Sequence, residues 1–70
     1  MEKVTIRFAR RLRQLRRKRK LTQEELACLA GIDYKHLQRL ESKNPSASTL
    51  ATLEKLAKAF KMPLSKFLNF

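Results

Sequence analysis

One glycine divides two runs of apolar residues at helical spacing, and this constrains the fold more than any other feature of the chain. Gly31 is the only glycine in 70 residues. Before it, Leu26, Ala27 and Ala30 recur on one helix face; after it, Ile32, Leu37 and Leu40 do the same. Glycine adopts without strain the left-handed backbone that ends a helix and reverses the chain. Thr22, with Glu25 three residues on, forms a capping box for the first run, and Asp33 can cap the second. Residues 21–41, LTQEELACLAGIDYKHLQRLE, are therefore expected to form helices over 23–30 and 34–40 joined by a tight turn.

The flanking sequence adds more helices and no strand pattern of period two. Phe8, Ala9, Leu12 and Leu15 share one face, which Ile6 extends, while Arg7, Arg10, Arg11, Arg13, Arg16 and Arg17 occupy the other. This predicts an amphipathic helix starting at a Thr5 cap and ending near Lys18, after a loosely held start at residues 1–4. The stretch SKNPSAS is rich in turn formers and holds Pro45, so it is a loop. Ser48 or Thr49 then caps a helix whose stripe is Leu50, Leu53, Leu56, Ala57 and Phe60, with Glu54, Lys55 and Lys58 facing away. Lys61, Met62 and Pro63 interrupt it, and Leu64, Phe67 and Leu68 give one last turn or two before Phe70. The expectation is an all-α, five-helix single domain over residues 1–70. A core this small is marginal alone, so burial against a partner subunit is expected.

Charge narrows the partners. The net charge is +11, and residues 1–20 hold ten of the seventeen cations with one acid. A basic surface of this density attracts nucleic acid, anionic lipid or an acidic protein; otherwise it is only a solvated face. Like cations in the run 16–20 repel one another unless an anion sits among them, although they complement the helix dipole. Cys28 is the only cysteine, so no internal disulfide forms, and its apolar neighbours suggest a partly buried structural thiol. His36 is the only histidine and has no carboxylate or thiol partner at ligand spacing. With no nucleophile–base set, phosphate loop or metal-ligand cluster, neither an enzyme nor a cofactor or metal is expected. No apolar stretch is long enough for a signal peptide or membrane span, which suggests a cytoplasmic protein.

The phrase LTQEELA, followed by Gly31 and apolar Ile32, resembles the helix-turn-helix of the lambda repressor and Cro family of DNA-binding domains. Gln23 matches the start of the first motif helix and Ala27 its close-packing point. Leu26, Ala30, Leu37 and Leu40 match buried positions, and TLEKLAKAF resembles the family's fourth helix. The resemblance covers about residues 6–68. Where relatives often have glycine before the motif this chain has Lys20, so either Lys20 bears a left-handed backbone or the turn differs locally.

The resemblance implies a sequence-specific regulator of transcription that binds double-stranded DNA as a homodimer, with helix 3 in the major groove. With Leu37 and Leu40 inward, the base readers are Tyr34, Lys35, Gln38 and Arg39; Arg39 suits guanine in a two-bond fork. Thr22, Gln23, His36, Lys43 and Asn44 are the expected phosphate contacts, with Ser42 and Ser46 in the same loop. Arg10, Arg17, Lys18, Arg19 and Lys20 would line the backbone beside them. Glu41 is expected to pair with Arg13 or Arg16. Leu64, Phe67, Leu68 and Phe70 are the expected dimer contact, the first two partly inside their own core. The segment GIDYKHLQRLE leans towards restriction–modification controllers or phage regulators, which can also touch RNA polymerase. The rival expectations are a non-specific nucleic-acid binder working through the arginine-rich helix, and an antitoxin-type module that binds a partner protein.

Overall fold

In the computed structural model, which describes residues 2–45 and 47–70, the apolar stripe of α1 (Val4–Lys18) forms one wall of the core. Phe8, Leu12 and Leu15 of that stripe pack in one cluster with Leu26 and Ala27 of α2 (Gln23–Ala30) and Leu37 and Leu40 of α3 (Tyr34–Leu40). Leu56 and Ala57 of α4 (Leu50–Ala59) and Phe67 of α5 (Leu64–Phe67) complete it, with Phe60 just beyond α4. Phe67 meets Phe8 edge-on at 5.7 Å between ring centroids, a favourable arrangement for aromatic quadrupoles. All five expected helices are present, and no strand occurs among the described residues. None of these helices is long and apolar enough to cross a membrane.

The helix starts follow the capping chemistry only in part. Thr22 and Glu25 form the reciprocal box, with Glu25 N–H donating to Thr22 Oγ1 (3.0 Å) and Thr22 N–H to Glu25 Oε1 (2.9 Å). Thr49, rather than Ser48, caps α4 by accepting from the Thr52 N–H at 3.2 Å. Two expected caps fail. Thr5 lies inside the first turn of α1, because the helix starts at Val4 with Lys3 as its N-cap residue. Asp33 has the extended backbone of an N-cap, but its side chain makes no capping bond. Val4 belongs to the helix, and Glu2 accepts a hydrogen bond from Arg10.

Three helices end in the same way. At α1, α2 and α4 a left-handed residue (Lys20 φ 56°, Gly31 φ 70°, Lys61 φ 55°) turns the chain out of the helix. The next residue, Leu21, Ile32 or Met62, then donates its N–H back to Arg16, Ala27 or Ala57. Each of those three side chains packs on the core. Lys20 thus bears the strained backbone that its position requires, and Lys61 does the same at the end of α4.

Candidate nucleic-acid interface

The turn at Gly31 sets α2 and α3 at a fixed angle and leaves one face of α3 in solvent. Leu37 and Leu40 are fully buried, which fixes the rotation of α3 about its axis. Tyr34, Lys35, Gln38 and Arg39 consequently stand together on the exposed side. His36 lies at the edge of this face, half-buried, with its Nε2 enclosed and without a hydrogen-bond partner among the described residues.

The far end of α3 is tied down by Glu41, whose side chain is only 1% exposed. Arg16 Nε donates to both carboxylate oxygens, at 2.9 and 3.2 Å, and Gln23 Nε2 donates to Oε1 at 3.1 Å. Arg16 also donates from Nη1 to the Leu21 carbonyl (2.8 Å), and Arg13 donates to the carbonyl of Glu41 itself. One carboxylate therefore joins α1, the start of α2 and the end of α3. Arg16 is the ion-pair partner, while Arg13 serves the backbone. Gln23 is half-buried, and its side-chain amide points at Glu41 while Thr22 beside it stays exposed.

The basic flank divides into two sets. Arg17, Lys18 and Lys20 are exposed and make no side-chain hydrogen bond among the described residues, so their charge is available. Arg19 instead donates to the Phe60 carbonyl at 2.7 Å, and Arg10 donates to Glu2. That last hydrogen bond holds the Glu2 carboxyl below its usual value and pushes Arg10 up. Arg11 donates to the carbonyls of Phe67 (3.2 Å) and Lys66 (3.0 Å), and Arg7 donates to Phe70 (2.7 Å). These capping roles of Arg7, Arg11 and Arg13 have no local sequence signal, because their acceptors are 28 to 63 residues away. Lys43 and Asn44 are exposed in the loop after α3, as Ser42 is; Ser46 lies outside the described residues.

Two expectations are corrected here. Phe67 is 0% exposed in its own protomer, because Phe8 packs edge-on and Phe60 tilted against it, so its side chain cannot meet a partner subunit. Leu64 and Leu68 are half-buried, and Phe70 stays exposed with the Arg7 guanidinium 5.4 Å above its ring. Cys28 is exposed rather than partly buried, because the phase that buries Leu26, Ala27 and Ala30 turns residues 28 and 29 outward.

Comparison with known proteins agrees with this geometry. A helix-turn-helix family profile matches residues 12–67. Over 56 residues the chain is 39% identical to the HTH-type transcriptional repressor RghR of Bacillus subtilis (strain 168), covering 80% of this chain and 42% of that protein. It is equally similar to RghRB of the same organism, an uncharacterized HTH-type transcriptional regulator, of which it covers 40%. The chain thus spans about two fifths of the length of these relatives. The crystal structure of the restriction-modification controller protein C.AhdI from Aeromonas hydrophila superposes with a TM-score of 0.83 at 32% identity, over 90% of this chain and 94% of that one. The chain belongs to the Cro/C1-type helix-turn-helix family of DNA-binding transcriptional regulators.

Proposed function

We propose that the protein binds a specific double-stranded operator as a homodimer, with α3 in the major groove. The observation that carries this reading is the exposed cluster Tyr34, Lys35, Gln38 and Arg39 on a helix whose rotation Leu37 and Leu40 lock. Arg39 and Lys35 donate to guanine O6 and N7, Gln38 to adenine, and Tyr34 packs on a thymine methyl or bonds a phosphate. Thr22, Arg17, Lys18, Lys20, Lys43 and Asn44 hold the phosphates that set the register. Gln23 and His36 contribute mainly by bracing α3 from behind.

One such helix reads few base pairs, so a two-fold dimer presents two helices about 34 Å apart. Half-buried Leu64 and Leu68 with exposed Phe70 and Val4 supply an apolar contact for it. The controller and repressor relatives support regulation of transcription as the role.

Selection of bound sequences from a random duplex pool, at several salt concentrations, tests the proposal. An enriched motif with two-fold symmetry is expected. Arg39→Ala should abolish the preference for that motif over random duplex, and Arg17→Ala should weaken both alike. A pool that yields no motif, together with a steep salt dependence, would replace the operator reading with non-specific binding. A monomer in sedimentation at binding concentrations would remove the dimer.

A further inference from the structure

A cleft of about 390 Å³ lies between the start of α1 and the loop that follows α3. Its polar lining comes from two separate parts of the chain: Lys3 and Thr5 on one side, Lys43 and Asn44 on the other. Lys3, Lys43 and Asn44 are exposed and make no side-chain hydrogen bond among the described residues. Glu2 also lines the cleft, but Arg10 already holds its carboxylate, so the local balance is positive. Two ammonium groups, a hydroxyl and a carboxamide facing one opening form a donor set suited to a compact, multiply accepting anion.

We infer that this cleft grips a DNA backbone phosphodiester, with Lys3 and Thr5 joining Lys43 and Asn44 as contacts. The inference rests on the reading that α3 enters the major groove. A recognition helix presents its N-terminal residues to the base edges, so in that reading the chain leaving the other end of α3 runs towards the phosphates that border the groove. That chain carries Lys43 and Asn44, and the fold sets Lys3 and Thr5 across the cleft from them. A grip at this point fixes how deeply α3 sits without reading any base.

The test measures affinity against salt concentration for the selected operator and for a random duplex. It compares wild type, Lys3→Ser, Lys43→Ser, and Lys66→Ser as an exposed lysine outside the cleft. Each cleft substitution should flatten the slope of log affinity against log salt by ~0.9 on both duplexes, the value for one lost phosphate contact. Lys66→Ser should change it several-fold less. All three lysines are exposed, and unchanged thermal unfolding confirms that each variant folds. If Lys3→Ser behaves like Lys66→Ser, the cleft site is overturned and only net charge is at work. If no motif is selected, the operator reading fails, yet the random-duplex slopes still decide the site. If wild type binds no duplex even at low salt, both fail.

Discussion

Replacing Glu41 with alanine should remove a large part of the stability of this domain, although no core methyl group is lost. The carboxylate is 1% exposed and its partner Arg16 14% exposed, so bulk water screens the pair poorly. Alanine would leave Arg16 with the Leu21 carbonyl alone, and Gln23 Nε2 with no acceptor in place of Glu41 Oε1. Removing one partner of a buried ion pair typically costs about 3–5 kcal/mol. Seventy residues at 0.05–0.15 kcal/mol each provide roughly 4–10 kcal/mol in total, so Glu41→Ala should bring the domain to the edge of unfolding. Urea unfolding followed by circular dichroism measures this as a lower midpoint at constant slope. Glu41→Gln keeps the shape and drops the charge, and should lose less, about 1–3 kcal/mol. The double variant Arg16→Met/Glu41→Leu should recover most of the loss, because an apolar pair of similar volume avoids the desolvation penalty. A Glu41→Ala loss below ~1 kcal/mol would refute this, since exposed pairs contribute about that much. A double variant as unstable as the sum of its singles would place the effect in packing instead.

Other substitutions examine the helix ends and the surface. A Cβ at Gly31 would meet nothing within 4 Å, so Gly31→Ala should cost only the left-handed backbone, about 1–2 kcal/mol; a larger loss in urea unfolding would point to a contact. Lys20→Gly and Lys61→Gly release the same strain and should each raise thermal stability, by up to ~1 kcal/mol or about 4–8 °C. Arg11→Gln removes donors from two carbonyls at the end of α5 and should cost about 1–2 kcal/mol in calorimetry, while lowering DNA affinity far less than Arg17→Gln does. Cys28 is exposed, so iodoacetamide should alkylate it in the folded protein as fast as in urea; several-fold protection would contradict its placement.

What the sequence makes legible here is what local geometry decides. Leu26, Ala27, Ala30 and Gly31 define α2 and its end because burial phase and left-handed backbone act within a few residues. The same phase held the position of Cys28, but identity outweighed it: a cysteine beside Leu26 and Ala27 suggests the interior, whereas helical rotation carries residues 28 and 29 outward. Thr5 and Asp33 show that a residue type can permit a cap without making one, because the rotamer and the start of the helix depend on the neighbours. Tyr34, Lys35, Gln38 and Arg39 could be placed on a common face from Leu37 and Leu40 alone. Lys3 could not be set beside Lys43, because forty residues separate them and only the fold closes that distance. Phe67 spread over an apolar segment looks like a contact surface until Phe8 and Phe60 are seen on either side of it.

The arginines of α1 illustrate the same limit from the side of charge. Composition counts them all as cations facing a polyanion. Short helices, however, leave their last carbonyls without partners, and α3, α4 and α5 have only seven, ten and four residues. Guanidinium groups on a fifteen-residue neighbour are long enough to reach those carbonyls across the core edge. Arg13 serves the end of α3, Arg19 the end of α4, and Arg11 the end of α5. A donor held on a carbonyl keeps its charge, so it still contributes to the long-range field that draws DNA in. It no longer has free rotamers with which to follow a phosphate; in the proposed complex that contact falls to Arg17, Lys18 and Lys20, which are exposed. α1 and the two residues after it therefore supply two different things: guanidinium groups that hold the ends of α3, α4 and α5, and exposed cations leading to the start of α2. Affinity and its salt dependence should track the second set, while loss of the first should appear in folding.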